Sequence, residues 1–131
     1  MQKLEVITTS QTALIDITHQ IEAAVKKSKV ESGICYLFVP HTTAGITINE
    51  NADPTVQSDI LKELNKLIPF EDNYRHSEGN SAAHIKSTLV GCSQYILIEN
   101  GSLSLGTWQG IYFCEFDGPR HRQVWLKIIE R

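Results

Sequence analysis

The chain has 131 residues, 41% of them hydrophobic and 21% charged; that is enough for one core and too apolar for a disordered segment. A formal net charge of −3 and a pI of about 5.9 exclude the basic excess on which nucleic-acid binding rests. No run approaches the ~18 apolar residues of a membrane helix and MQKLEVITTS lacks the apolar stretch of a signal peptide, so the expected location is cytoplasmic, with no membrane partner.

In chain order, LEVITT alternates as a strand, and TALIDI is a second strand leading into a helix. From Ile17 the apolar residues Ile17, Ile21, Ala24 and Val25 recur at helical spacing, with Asp16 or Thr18 placed to cap the first amides. Gly33 opens ICYLFVP, a continuous apolar run stopped by Pro40, which predicts a strand buried on both faces; AGITIN predicts the next one. In ENADPTVQSDILKELNKLIP, Asp53 stands at an N-cap position and Pro54 at the first helical one, with Val56, Ile60, Leu64 and Leu67 on one face.

A loop through Glu71, Asp72, Asn73 and Gly79 then precedes AAHIKSTLVG, a short helix closed by Gly91. SQYILIE and SLSLG flank Asn100-Gly101, a hairpin signal because a type I′ turn needs positive φ at both central residues. GIYFCEF and RQVWLKII follow, joined by Asp117-Gly118-Pro119. The expected architecture is one α+β domain over residues 1–131, an antiparallel-rich sheet or sandwich with two main helices packed on it. Cys35, Cys92 and Cys114 are odd in number and dispersed, which predicts buried, reduced thiols rather than a disulfide framework or metal knuckle.

Polar residues gather in three stretches at the ends of these elements: PHTTAGITINENADP, YRHSEGNSAAHIK and GTWQGIYFCEFDGPRHR. Rigid scaffolds present functional side chains at such ends. Each stretch also has a structural reading. Asp53 is a helix cap, Asn49 and Asn51 are turn formers, and Arg120 beside Gly118-Pro119 is solvated turn charge. His76 and His84 lie eight residues apart, which matches no standard metal spacing. They fit a metal site only if the loop brings both to His41, giving three nitrogen ligands and an open position. The alternative is His84 as general acid or base near neutral pH. His19 and His121 read as structural or solvated.

Together the three stretches, in this order and spacing and across nearly the whole chain, resemble the YjbQ-like family, known as secondary thiamine-phosphate synthases. The resemblance implies an α+β homotrimer with weak thiamine-phosphate synthase activity: hydroxymethylpyrimidine diphosphate joins thiazole phosphate, and diphosphate leaves. It also implies a histidine-rich site able to hold a divalent metal, zinc or magnesium, with matching positions His41, His76 and His84. Its acidic and amide motif positions match Asn49, Glu50, Asp53, Glu78 and Asn80, and its C-terminal signature matches Trp108, Gln109, Asp117, Arg120 and Arg122.

On this basis His84, Asp53 and Glu78 are the candidate catalytic groups. Lys86, Asn49, Asn80, Arg120 and Arg122 are the candidate contacts for a small phosphorylated metabolite. Two rival readings use the same residues. One is a zinc-dependent hydrolase or lyase on the three histidines, with Asp53 or Glu78 as base; the other is a non-catalytic trimeric phosphometabolite-binding module.

Overall fold

The computed structural model describes all 131 residues. In chain order the elements are β1 (Gln2–Ile7), β2 (Ala13–Asp16), α1 (Thr18–Ser28), β3 (Gly33–Phe38), β4 (Ala44–Glu50), α2 (Pro54–Leu67), α3 (Ser81–Val90), β5 (Ser93–Glu99), β6 (Ser102–Leu103), β7 (Gln109–Glu115) and β8 (His121–Glu130). The strands form two antiparallel sheets, one of order β1-β8-β3-β5-β6 and one of order β2-β7-β4. One core cluster joins Cys35, Leu37, Ile96, Ile98, Val124 and Leu126 of the larger sheet to Ile46, Ile111 and Phe113 of the smaller and to Ile21, Ala24 and Val25 of α1. The expected α+β domain is therefore present, with the two main helices α1 and α2 and, as α3, the short helix closed by Gly91.

Local chemistry sets several boundaries as the sequence suggests. Asp16 Oδ1 accepts from the Thr18 N–H at 2.9 Å as α1 begins, and Asp53 Oδ1 accepts from the Thr55 N–H at 2.9 Å at the head of α2, with Pro54 at its first position. Asn100 and Gly101 take φ of 53° and 77° between β5 and β6, as a type I′ hairpin requires.

Two expectations need correction. Strand β3 is buried on one face only: Cys35 and Leu37 point inward, while Tyr36 and Phe38 point out. The register brings Tyr36 opposite Tyr95 and Phe38 opposite Trp125, so with Leu97 and Ile129 they make a partly uncovered apolar face on the five-stranded sheet. A continuous apolar run has the same appearance when its outward residues meet solvent or a partner. Of the three free thiols, Cys35 and Cys114 are buried as expected, and burial pushes them up to about 11 and about 12; Cys92 is exposed.

The feature that positions the site is a corner. β7 and β8 follow one another yet belong to different sheets, β7 lying between β2 and β4, β8 between β1 and β3. Phe116 to Arg120 turns from one sheet to the other, with the Gly118–Pro119 peptide cis. A side chain at Gly118 would collide with the Ser10 carbonyl, so only glycine lets the corner close on the β1–β2 connection.

Candidate active site

At this corner, Glu115 ends β7 and Arg122 is the second residue of β8, and both are almost wholly buried. They form a two-pronged ion pair, Arg122 Nε to Glu115 Oε1 at 2.9 Å and Nη2 to Oε2 at 2.5 Å. Thr8 Oγ1 also donates to Glu115 Oε1 at 2.6 Å, and Arg122 Nη2 donates to Thr43 Oγ1 at 2.8 Å. Burial pushes the Glu115 carboxyl up. The hydrogen bonds from Arg122, Thr8 and the Asp117 N–H, with the Arg122 charge, outweigh that and hold it below the usual carboxylate range. Arg122 is thus a strut between sheets, its charge consumed, rather than a free phosphate clamp.

Above this pair lies a cleft of about 440 Å³ lined by Pro40, His41, Thr42, Thr43, His76, Glu78, Asn80, His84, Asp117, Arg120 and Arg122. Apart from Pro40 its lining is wholly polar, which suits a small hydrophilic ligand. Asp117 Oδ2 organises one side, accepting from Asn80 Nδ2 at 2.8 Å and from Arg120 Nη2 at 3.0 Å, while Arg120 Nε donates to the Asp117 carbonyl at 2.8 Å. Arg120 is therefore oriented along one edge of its guanidinium with the other edge open, and its side chain is 51% exposed. Asn80 starts α3, and its Oδ1 is buried without a hydrogen-bond partner.

On the other side His84, on α3, packs edge-on against His76 of the preceding loop, ring centroids 5.5 Å apart. His41 Nε2 accepts the Gln123 N–H at 2.9 Å. Burial lowers the His41 pKa and the Arg122 charge adds to this, while the Glu115 charge acts in the opposite direction and leaves the net shift downward.

The structure thus brings all three predicted histidines to one cleft with Glu78, Asn80, Arg120 and Arg122. It does not arrange them as a ligand set: no group of three His, Cys, Asp or Glu side chains is placed to hold a metal ion. One His41 nitrogen is committed to strand β8, and two arginines line the same space. The donor set does not fit the zinc or magnesium centre that the three histidines suggested.

Three predicted residues lie elsewhere within the chain. Lys86 is fully buried, its Nζ donating to Asn65 Oδ1 at 2.6 Å and standing 4.2 Å from the Phe70 ring centroid. Asn49 lies at the opposite end of β4 from Thr43, about 20 Å away at the rise of an extended strand, and Asp53 lies just past that end, where Glu50 pairs with Gln109 and the Asn51 N–H donates to the Trp108 carbonyl. The polar motifs therefore gather at both ends of the β4–β7 ladder. Asn49 Oδ1 there accepts the Glu50 N–H, and Asp53 acts as a helix cap.

Thr42 and Thr43 also line the cleft, and their only signal in the sequence is a pair of hydroxyls shortly after the Pro40 that stops an apolar run; Asp117, a position of the C-terminal signature, orients Arg120 and Asn80 there. A larger depression of about 790 Å³ beside the end of α1 and the β5–β6 turn carries Lys26, Lys29 and Glu31 but no histidine.

The model of the YjbQ-like UPF0047 family matches residues 2–131. Relatives include UPF0047 protein MJ1081 of Methanocaldococcus jannaschii, 58% identical over 97% of this chain and 92% of its own length, and YugU of Bacillus subtilis, 52% identical over 98% of both. Among solved structures, a YjbQ/UPF0047 protein of Clostridium acetobutylicum superposes with a TM-score of 0.96 at 56% identity, covering 98% of this chain and 100% of that one. A YbjQ-like protein of unknown function from Sulfolobus solfataricus gives 0.95 at 34% identity, covering 99% and 96%. With a family model and relatives that span it from end to end, this chain belongs to the YjbQ-like UPF0047 family.

Proposed function

We propose that the corner cleft binds a small phosphorylated metabolite and that the chain is a weak thiamine-phosphate synthase. The observation that carries this reading is Arg120, set by Asp117 with one guanidinium edge open in a cleft that is polar but for Pro40, beside His84 and Glu78. A departing diphosphate needs preorganised positive charge and in-line positioning more than covalent chemistry. Arg120 supplies the charge and His84 is the proton-transfer group within reach. Zinc-dependent hydrolysis gains no support from the side-chain arrangement, and no step here runs through a metal.

The test is a thiamine-auxotroph rescue paired with titration of inorganic diphosphate. Arg120→Ala is expected to weaken diphosphate binding about tenfold, the loss of a charge-assisted contact, and both Arg120→Ala and His84→Ala to abolish rescue. Folded variants that bind and rescue like the parent would sink the reading. If diphosphate binds but the parent itself fails to rescue, the non-catalytic binding module stands instead.

The assembly is proposed to be a homotrimer, and the apolar face of Tyr36, Phe38, Tyr95, Leu97 and Ile129 supports a second copy as its cover. The two ends of the β4–β7 ladder cannot meet inside one chain, so Asp53 joins the cleft chemistry only across a subunit boundary. Light scattering is expected to give three chains per particle, and Tyr95→Glu with Leu97→Glu to give one. Mixing Asp53→Asn with Arg120→Ala protein is expected to recover part of the activity that each lacks; no recovery would place Asp53 outside the site.

A further inference from the structure

Strand β3 ends at Phe38, opposite Trp125. Two residues on, the ladder would set Pro40 against Gln123, but the Gln123 N–H is taken instead by His41 Nε2 at 2.9 Å. The imidazole thus replaces a strand carbonyl at the end of a sheet. A ring nitrogen that accepts an N–H carries no proton, so the proton of the neutral ring resides on Nδ1. Protonating Nε2 as well would oppose two N–H groups across that contact.

The Nδ1 side of the ring makes no hydrogen bond within the protein, and His41 lines both the corner cleft and the adjoining depression formed with Thr42, His84, Ser87, Thr88 and Cys92.

We infer that His41 is held as the neutral Nδ1–H tautomer and presents the cleft with a hydrogen-bond donor for a phosphoryl oxygen of the ligand, in place of a metal-ligating nitrogen. The donor role rests on the anion-binding reading above; the tautomer rests on the Gln123 contact alone. Phosphoryl oxygens are acceptors at neutral pH, so Nδ1–H and the open edge of Arg120 are two donors of the kind such a group requires. A base or metal ligand needs a lone pair on the ring, and the only one in this tautomer is already engaged by the backbone.

Long-range proton–nitrogen correlation spectra of the full chain with nitrogen-labelled histidine, assigned by loss of one pattern in His41→Gln, test both parts. The expected pattern at pH 7.5 is a protonated Nδ1 and an unprotonated Nε2, with inorganic phosphate perturbing Nδ1 and equimolar zinc leaving it in place. A proton on Nε2, or conversion of Nδ1 to a metal-bound nitrogen on adding zinc, overturns the inference.

In parallel, inorganic phosphate is titrated into three proteins. His41→Gln keeps an acceptor that can reach the Gln123 N–H but has only a methylene where the ring carries Nδ1–H, and is expected to bind about tenfold more weakly. His41→Asn restores an amide donor near the Nδ1 position and is expected to stay within about threefold of the parent, a loss of under ~1 kcal/mol. Equal affinities in all three overturn the donor role. Failure of the parent to bind phosphate overturns that role together with the anion-binding reading, and the spectra then judge the tautomer by itself.

Discussion

Glu115→Ala is expected to cost about 3–5 kcal/mol of folding stability, the penalty for leaving one member of a buried ion pair without its partner. Glu115 is fully buried and Arg122 nearly so. Removing the carboxylate strands the guanidinium with only Thr43 to accept from it, leaves Thr8 Oγ1 with only the Arg120 carbonyl at 3.2 Å, and takes away the acceptor of the Asp117 N–H. Urea denaturation of the two proteins checks the magnitude; a loss under about 1 kcal/mol would mean that the corner is held by its backbone bonds. The pH dependence has a definite sign. Because the folded pKa of Glu115 lies below its ordinary value of 4.5, its contribution is present above pH ~4.5 and is lost as pH falls through the folded value. The variant should therefore lose less stability than the parent over that acid window.

Lys86→Met is expected to act in the opposite direction, raising stability at pH 7 by about 1–4 kcal/mol, the gain typical when buried charge is replaced by well-packed apolar groups. Lys86 is buried with no carboxylate beside it, and its one hydrogen bond goes to a neutral amide. Desolvation lowers its pKa below the ordinary 10.5. The contact with the Phe70 ring offsets part of that penalty, and methionine keeps the apolar packing while removing the charge. Here the unfolded chain holds its proton more tightly than the folded one, so stability of the parent rises with pH between the folded pKa and ~10.5. The advantage of Lys86→Met should shrink across that alkaline range. A destabilised variant would show that the Asn65 and Phe70 contacts outweigh desolvation.

Legibility in the sequence followed the range of the interaction. The Asp53-Pro54 helix start and the Asn100-Gly101 hairpin depend on neighbours within a few residues, and the structure has both. GIYFCEF and RQVWLKII read as an ordinary strand–turn–strand, and nothing local shows that they enter different sheets. Arg122 and Lys86 had the composition of phosphate contacts; their real partners include Thr43 and Asn65, 79 and 21 residues away in sequence. The histidines of the cleft are legible as a group because two polar motifs carry them, His41 in one and His76 with His84 in the other, but the nitrogen that His41 spends on Gln123 is not.

The corner has a mechanical meaning as well. Thr8 N–H bonds the Arg120 carbonyl, Gly118 N–H the Gln11 carbonyl and Phe116 N–H the Thr43 carbonyl, so the cleft floor is stitched to strand ends from both sheets. A ligand bridging Arg120 and His41 would act as a rivet through that seam: local opening of either sheet's end would first have to release the ligand, which couples occupancy of the cleft to the stiffness of both sheets.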